Sequence, residues 1–310
     1  MTDPFDERAA ERDPVVAAVL SHRRQLTNVA YRLLGSLADA EDAVQEALIR
    51  WYALSPEARD AIESPGAWLT TVTSRICLDQ LGSARVRRER YVGEWIPEPV
   101  PDRHDWPGGR AGEAADPADR ITLDESVDMA FLVVLDSMSP AERVAFLLHD
   151  VFRYPFAEVA EIVGRTPAAC RQLASSARRR VREARPVTPP AARRAELVRG
   201  FKAAWEAKDI DALLALLDPD AVAVADGGGR VPAALEPREG ADAIATAFVE
   251  LAGRVAGLVF EEHLVNGQPG LVGRQDGATV AVLAFDVAND RITRIWAVRN
   301  PDKLRPWNAV

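Results

Sequence analysis

The stretch Tyr154-Pro-Phe-Ala-Glu-Val-Ala-Glu-Ile-Val-Gly-Arg-Thr-Pro-Ala-Ala-Cys-Arg-Gln-Leu-Ala-Ser-Ser-Ala-Arg-Arg-Arg-Val181 decides how this chain is read. Val159, Ile162 and Val163 give its first part an apolar face, and small Ala160 stands where two helices must approach closely. Gly164 can take the positive φ of a tight turn, and Pro167 suits the first turn of a second helix. That helix would expose Arg171, Gln172, Ser175, Ser176, Arg178 and Arg179, donors suited to base edges in a major groove and to phosphates. Turn, caps and donors agree on a helix-turn-helix, against the plainer reading of a helical hairpin with a basic end.

Upstream, residues 14–90 read as a helical bundle. Leu26, Val29, Ala30, Leu33 and Leu34 recur at helical spacing, and Ser36 with Asp39 resembles a capping box. Ala40, Ala43, Val44, Ala47, Leu48 and Trp51 then form one stripe, which leaves Asp39, Asp42, Gln45, Glu46 and Arg50 on the outer face. Pro65-Gly66 opens a third helix with Trp68, Leu69, Val72 and Ile76 inward. Thr70, Thr71, Thr73, Ser74 and Arg75 are expected outward, ahead of a basic run at Arg85, Arg87, Arg88 and Arg90. The first of these faces by itself is also what a solvated helix surface looks like, and the second is also what an ordinary buried helix with a basic tail looks like.

Residues 91–120, with five prolines and a Gly-Gly pair, predict a linker that is extended at least in part. Residues 121–186 form the second helical module. From 193 to 308 two helices, a β-like run at Ala221–Ala225, a helix near Asp242–Leu251 and further runs at Leu258–Val265, Thr279–Val287 and Arg291–Val298 predict an α+β domain with a curved sheet.

The 310 residues, 48% hydrophobic, suffice for two or three cores. The net charge of −9 argues against a nucleic-acid binder on average, but the arginines cluster at 85–90 and 171–185, where phosphates would be held. Two weak DNA-binding modules joined by a linker would gain affinity through effective concentration. Cys77 and Cys170 lie far apart among apolar neighbours, so a reducing cytoplasm is expected and a disulfide is not. The charged N-terminus and the lack of a long apolar run predict no leader, no membrane span and a cytoplasmic protein.

These motifs resemble extracytoplasmic-function sigma factors. The segment Asp39-Ala-Glu-Asp-Ala-Val-Gln-Glu is similar to the family's polymerase-binding helix, which implies that Asp39, Asp42, Gln45 and Glu46 face the β′ coiled coil of core RNA polymerase. The resemblance implies that the helix bearing Thr70, Thr71, Ser74 and Arg75, and the loop at about 55–65 before it, meet the −10 promoter element, where a base is flipped out. It implies that the helix-turn-helix meets the −35 element. Arg75 stands where the family often has Asn, and Leu173 and Ser176 where it is often basic. Three further signatures resemble the subset with a C-terminal SnoaL-like, cone-shaped domain: Trp95-Ile-Pro-Glu98-Pro99 (with Pro97), Asp226-Gly227-Gly228-Gly229-Arg, and Asn300-Pro301-Asp302-Lys303-Leu304. The expected architecture is multidomain: two all-α sigma domains followed by the α+β domain. Promoter DNA and the polymerase β′ and β subunits are the expected partners, with a small ligand or a regulatory protein as a further one.

The glycine run is a turn that lets another segment approach closely. It is not a P-loop, because no Lys-Ser/Thr pair follows. Related folds abstract protons with an Asp base and a Tyr donor, but Tyr31, Tyr52, Tyr91 and Tyr154 all precede this domain, and nothing in the sequence places Asp226, His263 and Asp286 together. No Cys/His spacing suggests zinc. No cofactor and no catalysis are expected, and the added domain reads as an intramolecular regulator. Two other readings stand beside this one: a helix-turn-helix regulator that works without polymerase, and a ligand-sensing or isomerase-like C-terminal domain.

Overall fold

The computed structural model describes residues 14–88, 91–101, 128–184 and 189–308, without the side chains of residues 14–21 and 84–88. The chain divides into two compact units. One comprises residues up to Val86 with Leu135–Arg179; the other comprises Arg87–Val134 and the residues from Arg180 onward.

The first unit is helical. Helices α1 (Pro14–Leu34), α2 (Leu37–Tyr52), α3 (Pro56–Asp60) and α4 (Pro65–Arg88) come first. Ser36 caps α2 by accepting the Asp39 N–H, and Ser55 caps α3 through the Ala58 N–H. The stripe read from sequence on α2, Ala40 to Trp51, is buried as expected. Helix α5 (Met129–Asp136), most of which belongs to the second unit, leads in the chain to α6 (Pro140–Phe146), which opens on a capping box between Ser139 and Glu142. A π-helical turn (Leu147–Val151) joins α6 to α7 (Phe156–Val163). Gly164, at φ 69°, ends α7, and α8 (Pro167–Ala184) follows. That is the helix-turn-helix the sequence predicts.

In the second unit α9 (Ala191–Ala207) and α10 (Ile210–Leu216) lead into a six-stranded sheet: β1 (Leu217–Asp226), β2 (Arg238–Glu239), then α11 (Ala241–Arg254), β3 (Val259–Val265), β4 (Gln268–Gln275), β5 (Ala278–Ala288) and β6 (Arg291–Val298), with α12 (Arg305–Asn308) last. The sheet order is β2-β1-β6-β5-β4-β3, and only the β1–β6 pair is parallel. Leu217 begins β1 rather than extending the helix before it. Strand β4 is an addition to the sequence reading.

Both faces of this sheet are apolar. On one, Leu283, Val287, Ile292 and Ile295 pack with Leu197, Phe201 and Trp205 of α9 and with Ile244 and Phe248 of α11. On the other, Val272, Val282, Trp296 and Val298 are covered by Ile96, Met129, Leu304 and Trp307. A doubly apolar sheet needs two covers, and residues 96–101 with α12 supply much of the second. The segment expected as a tether is therefore buried from Ile96 to Pro101. Residues 102–120 of the expected linker, and 121–127 of the expected second module, lie outside the described residues.

Candidate functional site

Three groups of residues carry the chemistry. The first is the outer face of α2. Asp42, Gln45 and Glu46 are exposed, and Asp39 is half-buried at the first turn. Glu46 pairs with Arg50 one turn on, at 2.5 Å. Ile49, 59% exposed, and Tyr52 stand among these polar groups. This places a large apolar side chain in water beside carboxylates, on a helix whose other face is buried in a core.

The second group is spread over α4 and the helix-turn-helix. Arg75 is exposed and donates to the Glu161 carbonyl of α7 at 2.9 Å, and Thr71 is half-buried. Thr70, Thr73 and Ser74, expected outward, are buried. That expectation is corrected: the Thr70 hydroxyl donates to the Gly66 carbonyl (2.9 Å) and accepts from Tyr154 Oη (2.9 Å), so the helix is covered on this side within the unit. The side chains of Arg85, Arg87 and Arg88 lie outside the described residues. On α8, Arg171, Gln172, Ser175 and Arg179 are exposed, as a groove-reading helix requires. Ser176 is not free for DNA, because its hydroxyl donates to Glu142 Oε1 at 3.0 Å. Arg178 is ion-paired to Asp150 at 2.7 Å. Within the same unit Arg143 is buried and donates to the Leu33 carbonyl (2.7 Å) and to Asp136 (2.9 Å). Burial lowers its pKa to about 10, so it stays a cation at neutral pH.

The third group is where the structure adds most. The three short signatures, remote in sequence, meet at the carboxylate of Asp226, which is fully buried. Oδ1 accepts from Tyr91 Oη (2.7 Å) and the Gly228 N–H (3.0 Å); Oδ2 accepts from the Ile96 N–H (3.1 Å) and Lys303 Nζ (2.7 Å). Asn300 Nδ2 donates to Tyr91 Oη at 2.8 Å, and Lys303 Nζ also donates to the Ile96 carbonyl. The Lys303 ammonium lies 4.3 Å from the centroid of the Trp95 ring and 5.2 Å from that of Tyr91. Further along, Trp307 Nε1 donates to the Pro99 carbonyl (2.8 Å), and Val100 exchanges two bonds with Asn266 (2.9 and 3.1 Å). The glycine run is needed because a Cβ on Gly228, at φ 60°, would stand 2.3 Å from Asn300 Nδ2. Of the remaining predicted residues, Glu98 is buried within the covering segment, Pro301 is exposed, Asp302 pairs with Arg230 at 2.9 Å, and Leu304 packs under the sheet. Tyr91 and Asn266 were absent from the sequence-derived set. The Asn266-Gly267 turn signal could have found the second.

Asp226 therefore has a tyrosine partner after all, delivered by the segment before the domain. Burial and the adjacent carboxylate push the Tyr91 phenol well above its ordinary range. Four donors saturate the carboxylate, which leaves it no lone pair for a substrate proton. Asp226, His263 and Asp286 stand on β1, β3 and β5, each separated from the next by a strand. A cavity of about 30 Å³ between α9, the β3–β4 hairpin and β5, lined by Arg194, Val198, Gln268 and Phe285, has room for a water or two. Among the described residues no cluster of His, Cys, Asp or Glu is placed to hold a metal ion, and no helix is long and apolar enough to cross a membrane.

A helical bundle, a helix-turn-helix with an arginine-bearing second helix and an α+β domain define a multidomain DNA-binding protein of transcription. Comparison with known proteins makes this specific. Residues 18–87 match Sigma-70 region 2, residues 128–181 match Sigma-70 region 4, and residues 198–295 match the SnoaL-like domain. The chain is 41% identical over 296 residues to the ECF RNA polymerase sigma factor SigJ of Mycobacterium tuberculosis, covering 91% of this chain and 90% of that one. It is 36% identical over 302 residues to the probable ECF RNA polymerase sigma factor SigI of the same organism, covering 97% and 98%. The crystal structure of Mycobacterium tuberculosis SigJ superposes with a TM-score of 0.72 at 37% identity, covering 94% of this chain and 98% of that one. The chain belongs to the ECF RNA polymerase sigma factor family, in the form that carries a C-terminal SnoaL-like domain. It is an alternative sigma factor that acts with core RNA polymerase to direct initiation at particular promoters.

Proposed function

We propose that the outer face of α2 is the polymerase-docking surface, that α4 and α8 carry the −10 and −35 contacts, and that the C-terminal domain is a regulator rather than an enzyme. Asp39, Asp42, Gln45 and Glu46, with Ile49 one turn beyond the last two, present the chemistry that fits a basic coiled coil such as that of β′: carboxylates for steering and register, one apolar anchor for affinity. The β subunit is the partner we assign to the remainder of the holoenzyme contact. Arg75 of α4, and Arg171, Gln172, Ser175 and Arg179 of α8, are exposed donors available to DNA, with half-buried Thr71 near Arg75 on α4. Thr70 and Ser74 join them only if the Tyr154 side of α4 is uncovered. The protein works in the cytoplasm, where polymerase and promoters are.

The observation that carries the regulatory reading is the convergence on Asp226, with the segment from Tyr91 to Pro101 bound into the C-terminal unit. A saturated buried carboxylate and a water-sized cavity favour a structural grip over catalysis or a large ligand. Two experiments test these readings. Charge reversal at Asp42 and Glu46, with Gln45→Lys, abolishes co-purification with core polymerase while leaving thermal unfolding within a few degrees. Retained co-purification refutes the docking surface and favours a regulator that works without polymerase. Truncation after Pro190 changes promoter-dependent transcription in a reconstituted system. Transcription equal to that of the full chain refutes regulation by the C-terminal domain.

A further inference from the structure

The π-helical turn at Leu147–Val151 has a role that the DNA-reading helix alone does not explain. A π-turn carries one more residue than an α-helical turn and rotates its side chains out of helical register. Here the Phe152 N–H reaches back five residues to the Leu147 carbonyl at 3.0 Å. The displaced residues are His149 and Asp150, and both are directed at groups that buttress α8. Asp150 Oδ1 lies 2.7 Å from Arg178 Nε, with 22% of the aspartate side chain and 42% of the arginine side chain exposed. His149 donates from Nδ1 to the Tyr154 carbonyl at 2.9 Å and stacks on Phe156 with ring centroids 3.7 Å apart. The Arg171 guanidinium sits 5.6 Å from the centroid of the same Phe156 ring. Arg171 and Arg178, two helical turns apart on one face of α8, are thus each backed by the same turn.

We infer that Asp150 is a positioning residue for promoter recognition: its carboxylate holds Arg178 by an ion pair at Nε, without a hydrogen bond to that N–H, and so keeps the two terminal amino groups for a backbone phosphate. A guanidinium offers five donors in a rigid plane. An ion pair at Nε restrains the side chain and spends part of its rotamer entropy before DNA arrives. This inference rests on the reading of α8 as the −35 helix.

The test uses holoenzyme assembled from the full chain and core polymerase, with equilibrium binding to a promoter fragment measured across a salt series. Arg178→Ala should weaken binding about tenfold, the scale of one charge-assisted bond, and lower the log–log salt slope by about 0.9, one phosphate's worth. Asp150→Asn should reproduce most of both changes, and the double variant should bind no worse than Arg178→Ala. Loss of fold in Asp150→Asn would reduce the active fraction and leave the slope untouched, so the slope separates positioning from stability. If Arg178→Ala changes neither quantity, the DNA reading of that arginine fails. If Arg178→Ala shows both changes and Asp150→Asn shows neither, the positioning role fails with the DNA reading intact. A pH series gives a second readout. Burial raises the Asp150 carboxyl against the opposing charges of Arg178 on α8, of His149 on its own turn and of Arg153 just after it. Affinity should therefore fall at a higher pH than an ordinary aspartate allows, and that limb should vanish in Asp150→Asn. A limb that persists unchanged in Asp150→Asn overturns the assignment.

Discussion

Replacing Asp226 by Asn should release the proline-rich segment from the C-terminal unit, and the structure sets the size of the effect. Asp226 is fully buried, and its partner Lys303 has only 10% of its side chain exposed. Asparagine keeps the shape but removes the charge, and its amide nitrogen must face donors on one side: Lys303 and Ile96, or Tyr91 and Gly228. Removing one member of a buried ion pair costs about 3–5 kcal/mol, because the remaining charge stays desolvated. By contrast, Tyr91→Phe removes one neutral donor and should cost only about 1–2 kcal/mol. Asp226→Asn should thus lower the melting temperature of the unit by roughly 10 °C, with Tyr91→Phe well behind it. The Ile96 amide should exchange with solvent far faster in Asp226→Asn. Adding Lys303→Met removes the stranded ammonium while keeping an apolar stem against Trp95, and should recover part of the loss. A melting temperature within 1–2 °C of the parent, or a double variant no better than Asp226→Asn, would refute the argument that charge burial holds this junction.

Gly228→Ala should destabilise the unit by more than the roughly 1–2 kcal/mol that an L residue at positive φ costs, because its Cβ overlaps Asn300; Gly257→Ala, at φ 76° with nothing within 4 Å, should cost the backbone term alone. Urea midpoints of the two variants check this, and equal losses would remove the collision from the account. The Tyr91 phenol is raised in the folded state, so its contribution is complete below about pH 10, where a free tyrosine ionises. Above that it is lost as pH rises, at up to about 1.4 kcal/mol per pH unit for one proton. Unfolding measured from pH 9 to 11 should show a shallower decline in Tyr91→Phe.

Much of the helical part was legible because its signals are local. The α2 stripe, the Ser36 cap, the Gly164 turn and the Pro167 helix start each depend on residues within a turn or two of one another. Thr70 and Ser74 were misplaced for the opposite reason: Tyr154, which bonds to Thr70, lies 84 residues on, and no periodicity announces it. Strand β4 was hidden by Pro269, Gly270 and Gly273, poor strand formers. Its evidence lay in the turns instead, where Asn266-Gly267 and Asp276-Gly277 all take positive φ (53°, 71°, 51° and 80°), the signature of two-residue hairpins. Gly270 and Gly273 are themselves required, since a Cβ would meet Val265 and the Leu283 carbonyl at 2.6 Å in the first case and Phe260 at 2.9 Å in the second.

The segment Ile96-Pro97-Glu98-Pro99-Val100-Pro101 shows why proline content misled. Prolines suggested a linker, extended at least in part, yet they also make burial cheap. Three of the six residues lack an N–H, so only Ile96, Glu98 and Val100 must place one, and the sheet face beneath provides Asp226 for the first and Asn266 for the last. An alternating X-Pro segment could in principle slip by two residues along a flat apolar face. Here a slip in one direction would carry Glu98 to the position of Ile96, bringing a second carboxylate onto Asp226; a slip in the other would leave Asn266 facing a different pair of backbone groups and strand the Pro99 carbonyl that Trp307 now engages. The ion pair at Asp226 and Lys303 thus does more than add stability. It selects one register for the covering segment, and so sets which residues of the chain between the two sigma regions lie against the sheet.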